Sequence, residues 1–343
     1  LNLLNNKSGD EQARPVRQRA ISQHEQFFKK ILVPTDGSFP SLIAQGLAAF
    51  LAKKFKSKVT VLHVIAHEFI KPHSRGFPMK YRESDRMVPY QEPVPTGDEV
   101  SFPEAVAREP LNSYYQRGKR VVAEATAFFK EENIPVDQRL VEDADPAETI
   151  LEEAERGNFD LIVMGHCGVE EKEKPHLGSI AEKVSRHAKI PVLIAHEKIR
   201  ISKILVSVDG SENTKETLQY VIPIAKMAGA KITLLSVQKL GPLKLKPKVT
   251  KEMGFRILPY VTDLVEGIEL EKRLESGDPA NAIIQIAEKE DFDLIVMGSR
   301  GLGGVGRFLL GSVRDHVCHY TNRSVLLIQP PTTKTVPENE IDI

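Results

Sequence analysis

The chain has 343 residues, room for about two domains on a prior of ~150 residues each. Basic and acidic residues number 47 each, which removes any global electrostatic case for binding nucleic acid or an anionic membrane. Its two cysteines, Cys167 and Cys318, lie far apart without metal-ligand spacing, which excludes a disulfide scaffold or zinc site and points to a reducing, cytoplasmic setting. No apolar run approaches the ~20 residues of a membrane span.

Residues 1–27 are polar, with little hydrophobic periodicity, and read as a disordered tail. A short apolar strand, Lys29-Lys-Ile-Leu-Val-Pro-Thr-Asp-Gly-Ser38, ends on an acidic turn. A helix is expected over Ser41–Phe55, with Leu42, Leu47, Phe50 and Leu51 on its apolar face. Lys58–Ile65 is β-branched and reads as a second strand. Residues 67–110, rich in proline and charge, form an insertion without clear period, read as a solvated excursion. A helix over Leu111–Glu132 and a strand over Val136–Val141 follow. Asp145-Pro146 then opens a further helix, with the proline in its first turn. Phe159–Met164 is an apolar run running into Gly165, a helix starts at Ser179, and Pro191–Ala195 is a last strand.

The chain then begins again. Ser202-Lys-Ile-Leu-Val-Ser-Val-Asp-Gly-Ser211 repeats the first strand, so that residues 36 and 209 correspond, 173 apart. From the third strand onward the offset is 133, as between Asp145-Pro146 and Asp278-Pro279; the difference reflects the insertion of the first half. Phe292-Asp-Leu-Ile-Val-Met-Gly298 repeats Phe159–Gly165 without change. The organisation is therefore a tandem duplication: domain 1 over 28–198, domain 2 over 199–330, and a disordered tail over 331–343. In each half strands alternate with helices, which implies a doubly wound α/β fold with a parallel sheet.

Each half carries a glycine-marked loop after its fourth strand. In the second half it is Gly298-x2-Gly301-x9-Gly311-Ser312, and in the first Gly165-x2-Gly168-x9-Gly178-Ser179. Strand, glycine loop and helix start form an arrangement that cradles phosphate, because close backbone approach meets unpaired N–H groups and the positive end of a helix dipole. Arg300 and Arg307 add positive charge to the second loop; the first holds three glutamates and Pro175 instead. Neither loop is a Walker A sequence or a Rossmann fingerprint.

Val-x-x-Asp-Gly-Ser after the first strand, together with Gly-x2-Gly-x9-Gly-Ser after the fourth, resembles the universal stress protein family, and does so in both halves. The resemblance implies a five-stranded sheet of order 3-2-1-4-5 with helices on both faces, binding ATP in its crevice. It would place Asp209 against the nucleoside and the backbone of Val237 against the adenine edge. Gly298 and Gly301 would lie at ribose and phosphates, and Gly311, Ser312 and Val313 around the phosphates. Asp36, Val64, Gly165, Gly168, Gly178 and Ser179 hold the same positions in the first half, where the glutamates argue for a weakened site. Mg²⁺ would come only with the nucleotide's phosphates. The expected role is regulatory, with ATP occupancy setting conformation or partner choice. The alternative is a slow ATPase or phosphotransferase, with Asp209 or Asp315 as the acid near the γ-phosphate. Family members pair through their last strand, so the resemblance implies an internal pseudo-dimer; a further homodimer stays open.

Overall fold

The computed structural model describes residues 27–66, 111–168, 177–209, 213–238, 266–298 and 312–329. Both tails and the 67–110 insertion fall outside this set. Among the described residues ten strands form one sheet: β1 (Lys30–Pro34), β2 (Lys58–Ala66), β3 (Val136–Ala144), β4 (Leu161–Gly165), β5 (Val192–Ala195), β6 (Lys203–Ser207), β7 (Lys231–Gln238), β8 (Leu270–Ser276), β9 (Leu294–Met297) and β10 (Ser324–Leu327). Their order is β3-β2-β1-β4-β5-β10-β9-β6-β7-β8, so each half has the order 3-2-1-4-5. All pairings are parallel except the central one, where β5 and β10 run antiparallel. The register there is Val325 with Ile194, Leu326 with Leu193 and Leu327 with Val192. Under the 133-residue offset this register maps onto itself, so a pseudo-twofold axis passes between Leu193 and Leu326.

Among the described residues seven helices cover the sheet: α1 (Phe39–Phe55), α2 (Leu111–Glu131), α3 (Pro146–Arg156), α4 (Ser179–His187), α5 (Asn213–Ala228), α6 (Pro279–Lys289) and α7 (Ser312–Tyr320). Alternation along each strand feeds two cores. Val33, Val61, Val163, Leu193, Val206 and Leu326 face α1, α2 and α5, whereas Leu32, Leu62, Ile162, Ile194, Leu205 and Leu327 face α3, α4, α6 and α7. Both cores run without a break from one half into the other.

Local chemistry sets the element ends. Ser38 caps α1 by accepting the Ser41 amide at 3.3 Å, and Pro40 sits in the first turn, so the helix starts two residues earlier than the periodicity predicts. Asp145 and Asp278 cap α3 and α6, accepting the amides of Glu148 and Asn281. The aspartate that opens each repeated Asp-Leu-Ile-Val-Met-Gly run has a structural role. Asp160 accepts the Lys30 amide, and Asp293 accepts the amides of Ser202 and Lys203, so each fixes the start of the neighbouring strand. One expectation is corrected: Leu42 is 52% exposed. The buried arc of α1 runs through Ala44, Leu47, Ala48, Leu51 and Phe55, and Leu42 falls one step outside it, whereas Phe50 is half-buried against the core.

Candidate functional site

In a sheet of this order, β1 and β4 of one half, and β6 and β9 of the other, are neighbours whose connections leave in opposite senses. A crevice opens beyond their carboxyl ends. The antiparallel seam turns the two crevices to opposite ends of the sheet.

In the first half, β1 leads into Thr35-Asp36-Gly37-Ser38. The Asp36 carboxylate accepts the Ser38 amide at 2.9 Å, closing an Asx-type turn, and Gly37 adopts a φ of +78°. Behind the turn is a satisfied polar network. Gln45 donates to Thr35 Oγ1 at 3.0 Å, Thr35 Oγ1 to Ser41 Oγ at 3.0 Å, and Ser41 Oγ to Ser38 O at 2.8 Å. The loop after β4 lies directly over this turn. A Cβ at Gly168 would come 2.8 Å from Asp36 Oδ2, and one at Gly165 would meet the backbone of Pro40 at 2.8 Å. The structure thus brings Asp36, Gly165 and Gly168 together. Here the two glycines let the loop press against α1's entry.

The helix-start side is partly committed. Gly178 caps α4, and its amide donates to the carbonyl of His166 at 2.7 Å, tying the two ends of the loop. The N–H groups that the helix itself cannot satisfy on this side are first-turn amides such as those of Ile180 and Ala181. Ser179 opens that turn.

Strand alternation places Val64. The Thr35 amide donates to Leu62 O at 2.8 Å, so the backbone groups of Leu62 point toward β1. Two residues on, those of Val64 point the same way, at the level where β1 has already turned off into Asp36. Val237 is equivalent: the Val208 amide donates to Leu235 O at 2.9 Å, and β6 ends before the level of Val237. Both valines are half-buried against the core under α3, α4, α6 and α7.

Sequence reasoning missed His63. Its Nδ1 lies 2.7 Å from Thr35 O. Because a carbonyl only accepts, Nδ1 carries the proton and Nε2 is left as an acceptor. Burial lowers its pKa, outweighing the opposing effects of the Thr35 carbonyl and the Asp36 charge. Its signal was its place beside Val64, on the opposite face of the same strand.

In the second half Asp209 follows β6 as Asp36 follows β1, and Gly298 follows β9 with its missing Cβ 2.9 Å from Thr217 Oγ1 of α5. Ser312 opens α7, and Val313 is half-buried in its first turn. Arg300, Gly301, Arg307 and Gly311 lie outside the described residues. Asp315 is engaged at the seam, where it accepts from Arg186 at 3.0 Å. Cys318 is buried, and burial pushes its thiol up to about 12, which keeps it protonated and unreactive. Cys167 and Cys318 form no disulfide. Among the described residues, no group of three His, Cys, Asp or Glu side chains is placed to hold a metal ion. No helix there is long and apolar enough to cross a membrane.

A family model described as "Universal stress protein family" matches residues 27–196 and again 200–329. Universal stress protein Slr1230 of Synechocystis is 25% identical over 310 residues, covering 87% of this chain and 99% of that protein. Universal stress protein MJ0531 of Methanocaldococcus jannaschii is 34% identical over 140 residues, 38% of this chain and 82% of the relative. A crystal structure of a universal stress protein from Archaeoglobus fulgidus superposes with a TM-score of 0.61 at 23% identity, over 88% of this chain and 96% of the other.

Proposed function

Because the chain belongs to the universal stress protein family, through two tandem matches to its unit, we propose that it is an ATP-binding regulatory protein. Nucleotide occupancy of one or both halves would control its conformation or its partners. The observation that carries this reading is the meeting of the first-strand aspartate with the fourth-strand glycine loop. A Cβ at Gly168 would touch Asp36 at 2.8 Å, in the crevice where the strand order reverses. The residues fit an adenine nucleotide in chemical type. The Val64 and Val237 backbones offer a donor and an acceptor to a base edge, and Asp36 and Asp209 offer acceptors to a ribose. The first turns of α4 and α7 offer N–H groups to phosphates. We assign the stronger site to the second half, with Asp209, Val237, Gly298, Arg300, Gly301, Arg307, Gly311, Ser312 and Val313. In the first half the Gly178 amide already serves His166. Mg²⁺, where it participates, would ride on the phosphates. We further read the β5–β10 pairing as an internal pseudo-dimer and the setting as cytoplasmic.

The enzymatic alternative gains nothing from the seam, because Asp315, one of its two candidate acids, is bonded to Arg186. Nucleotide extracted from the purified full-length chain, together with native mass spectrometry, tests the proposal. ATP is expected at one equivalent per chain or more, intact after hours at 25 °C. Steady conversion of the bound ATP to ADP over those hours would replace the regulatory reading with the slow-ATPase one, and failure to bind added ATP would overturn both.

A further inference from the structure

The turn that carries Asp36 is held by groups that the second half does not repeat. All three polar groups of Thr35, the residue before it, are engaged. Its amide donates to Leu62 O at 2.8 Å, its hydroxyl accepts from Gln45 at 3.0 Å and donates to Ser41 Oγ, and its carbonyl accepts from His63 Nδ1 at 2.7 Å. The Gly37 amide also reaches the hydroxyl, at 3.3 Å. Thr35 is buried, so a bond taken from it is not replaced by water. At the 173-residue offset the second half has Val208 for Thr35, Leu218 for Gln45 and Ser236 for His63. A valine has no hydroxyl to hold, and a serine has no ring nitrogen to reach the carbonyl.

His63 is itself fixed from outside. It lies on β2 under α2, where a Cβ at Gly118 would come 3.0 Å from its Cδ2, and Ile65 and Leu140 close on the same point at 3.2 Å. The missing side chain of Gly118 is the room for the ring, and the packed helix keeps Nδ1 on the Thr35 carbonyl. Asp36 is close enough for its charge to act on the ring. That carbonyl lies in the peptide plane leading into Asp36, so holding its oxygen fixes the plane from which the carboxylate hangs. On the far side Asp36 Oδ1 accepts the Ser38 amide at 2.9 Å. A carboxylate has lone pairs for about four donors, so these contacts leave it able to accept from sugar hydroxyls.

We propose that His63 is a positioning residue that sets sugar specificity in the first half: by holding the Thr35 carbonyl it aims Asp36 so that the site selects ribose over 2′-deoxyribose. A ribose presents two adjacent hydroxyl donors and a deoxyribose only one. A carboxylate held in place distinguishes the two, whereas one on a loose turn follows whichever hydroxyl is present. This inference rests on the nucleotide reading above, and within it on the first half alone.

Hydrogen exchange of residues 35–41 in the full-length chain, titrated with ATP and with 2′-deoxy-ATP, tests it. Half-maximal protection is expected at about tenfold more deoxy-ATP than ATP, the worth of one hydrogen bond to a charged group. In His63→Leu, which fills the space under α2 and removes the donor, the ratio should fall below about twofold, chiefly because ATP binds less well. His63→Asn, whose amide places a donor where Nδ1 stands, should retain the preference. His63→Ser, which installs the second half's residue, carries the leucine expectation should that variant fold poorly. Equal midpoints for the two nucleotides in the parent chain, a preference kept in the leucine or serine variant, or one lost in the asparagine variant as well, overturns the assignment. Protection absent at 35–41 but present at 313–320 removes the first-half site and this inference with it, and leaves the nucleotide reading to the second half. Protection absent at both overturns that reading itself.

Discussion

The two halves share a strand order and matching caps, yet they meet the central seam with different chemistry. At the end of β10 the second half places Gln329, whose amide reaches across to Ser185 O at 3.2 Å. At the end of β5 the first half places His196, 9% exposed, stacked on His166 and with no partner for Nε2 among the described residues. Duplication has kept the apolar layers, where volume and pattern suffice, and has let the polar positions above them diverge. A core position is constrained by neighbours of both halves at once, whereas a polar seam position needs a partner on only one side. The result is a symmetric frame carrying an asymmetric set of hydrogen bonds.

The largest effects should come from the frame. Leu193 and Leu326 are paired across the axis, each 1% exposed, in the core that runs through both halves. Leu193→Ala and Leu326→Ala should each cost about 2–5 kcal/mol, and the double variant should depart from additivity because the two residues are neighbours. Urea unfolding followed by far-UV circular dichroism and by tyrosine fluorescence is expected to give one coincident transition for each variant. A Leu193→Ala protein in which one half melts separately would show that the halves are joined without sharing a core.

Next in size is a pH effect at the first half's side of the seam. Burial lowers the pKa of His196 to about 3 from 6.5, the nearby His166 adding to the shift, and His166 itself is lowered by burial. The folded value lies below the unfolded one, so this stability is fully present above pH 6.5. It is lost as pH falls, because the unfolded chain takes up a proton that the folded chain refuses. Between pH 6.5 and 5 the slope from one such histidine approaches ~1.4 kcal/mol per pH unit. His196→Gln, which installs the second half's residue, should flatten the pH dependence of the urea midpoint in that window by up to about this share. An unchanged slope would remove the distinction drawn between His196 and Gln329. Below this window aspartates join in: the Glu148 amide holds the Asp145 carboxyl below the usual carboxylate range, which confines the histidine test to pH 5 and above.

What the sequence disclosed follows from what is local. Strands such as that over Lys58–Ile65, the Asp-Pro helix starts and the duplication itself depend on residues close together in the chain, and each reads directly. The crevice was legible because Asp36 and the Gly165–Gly168 loop fall at the two strand ends that flank the order reversal. Their detailed chemistry was not. Gly165 reads as a ligand-facing glycine, but its missing Cβ faces the backbone of Pro40, a residue 125 positions earlier. Leu42 reads as core because it is apolar, and only the packed helix shows that the buried arc passes beside it. The Arg314–Ser185 tie joins residues 129 apart through a carbonyl, an acceptor that every residue possesses and no motif can mark.

The smallest expected effect probes where the duplication has stayed faithful. Asp145 accepts the Glu148 amide at 2.8 Å and Asp278 accepts the Asn281 amide at 3.0 Å, each ahead of a proline that opens the helix. Either Asp→Ala substitution should destabilise by about 1 kcal/mol, the usual worth of an N-cap. Asp145 has one further partner, Lys183 at 3.3 Å, which its counterpart Asp278 lacks because His316 stands at the equivalent position. That ion pair lies at the surface, where screening leaves little of it. The two substitutions should therefore match within a few tenths of a kcal/mol at 0.15 M salt, and any excess for Asp145→Ala should shrink as salt is raised. A large, salt-insensitive difference between them would mean that the halves diverge in their helix starts as well as at the seam.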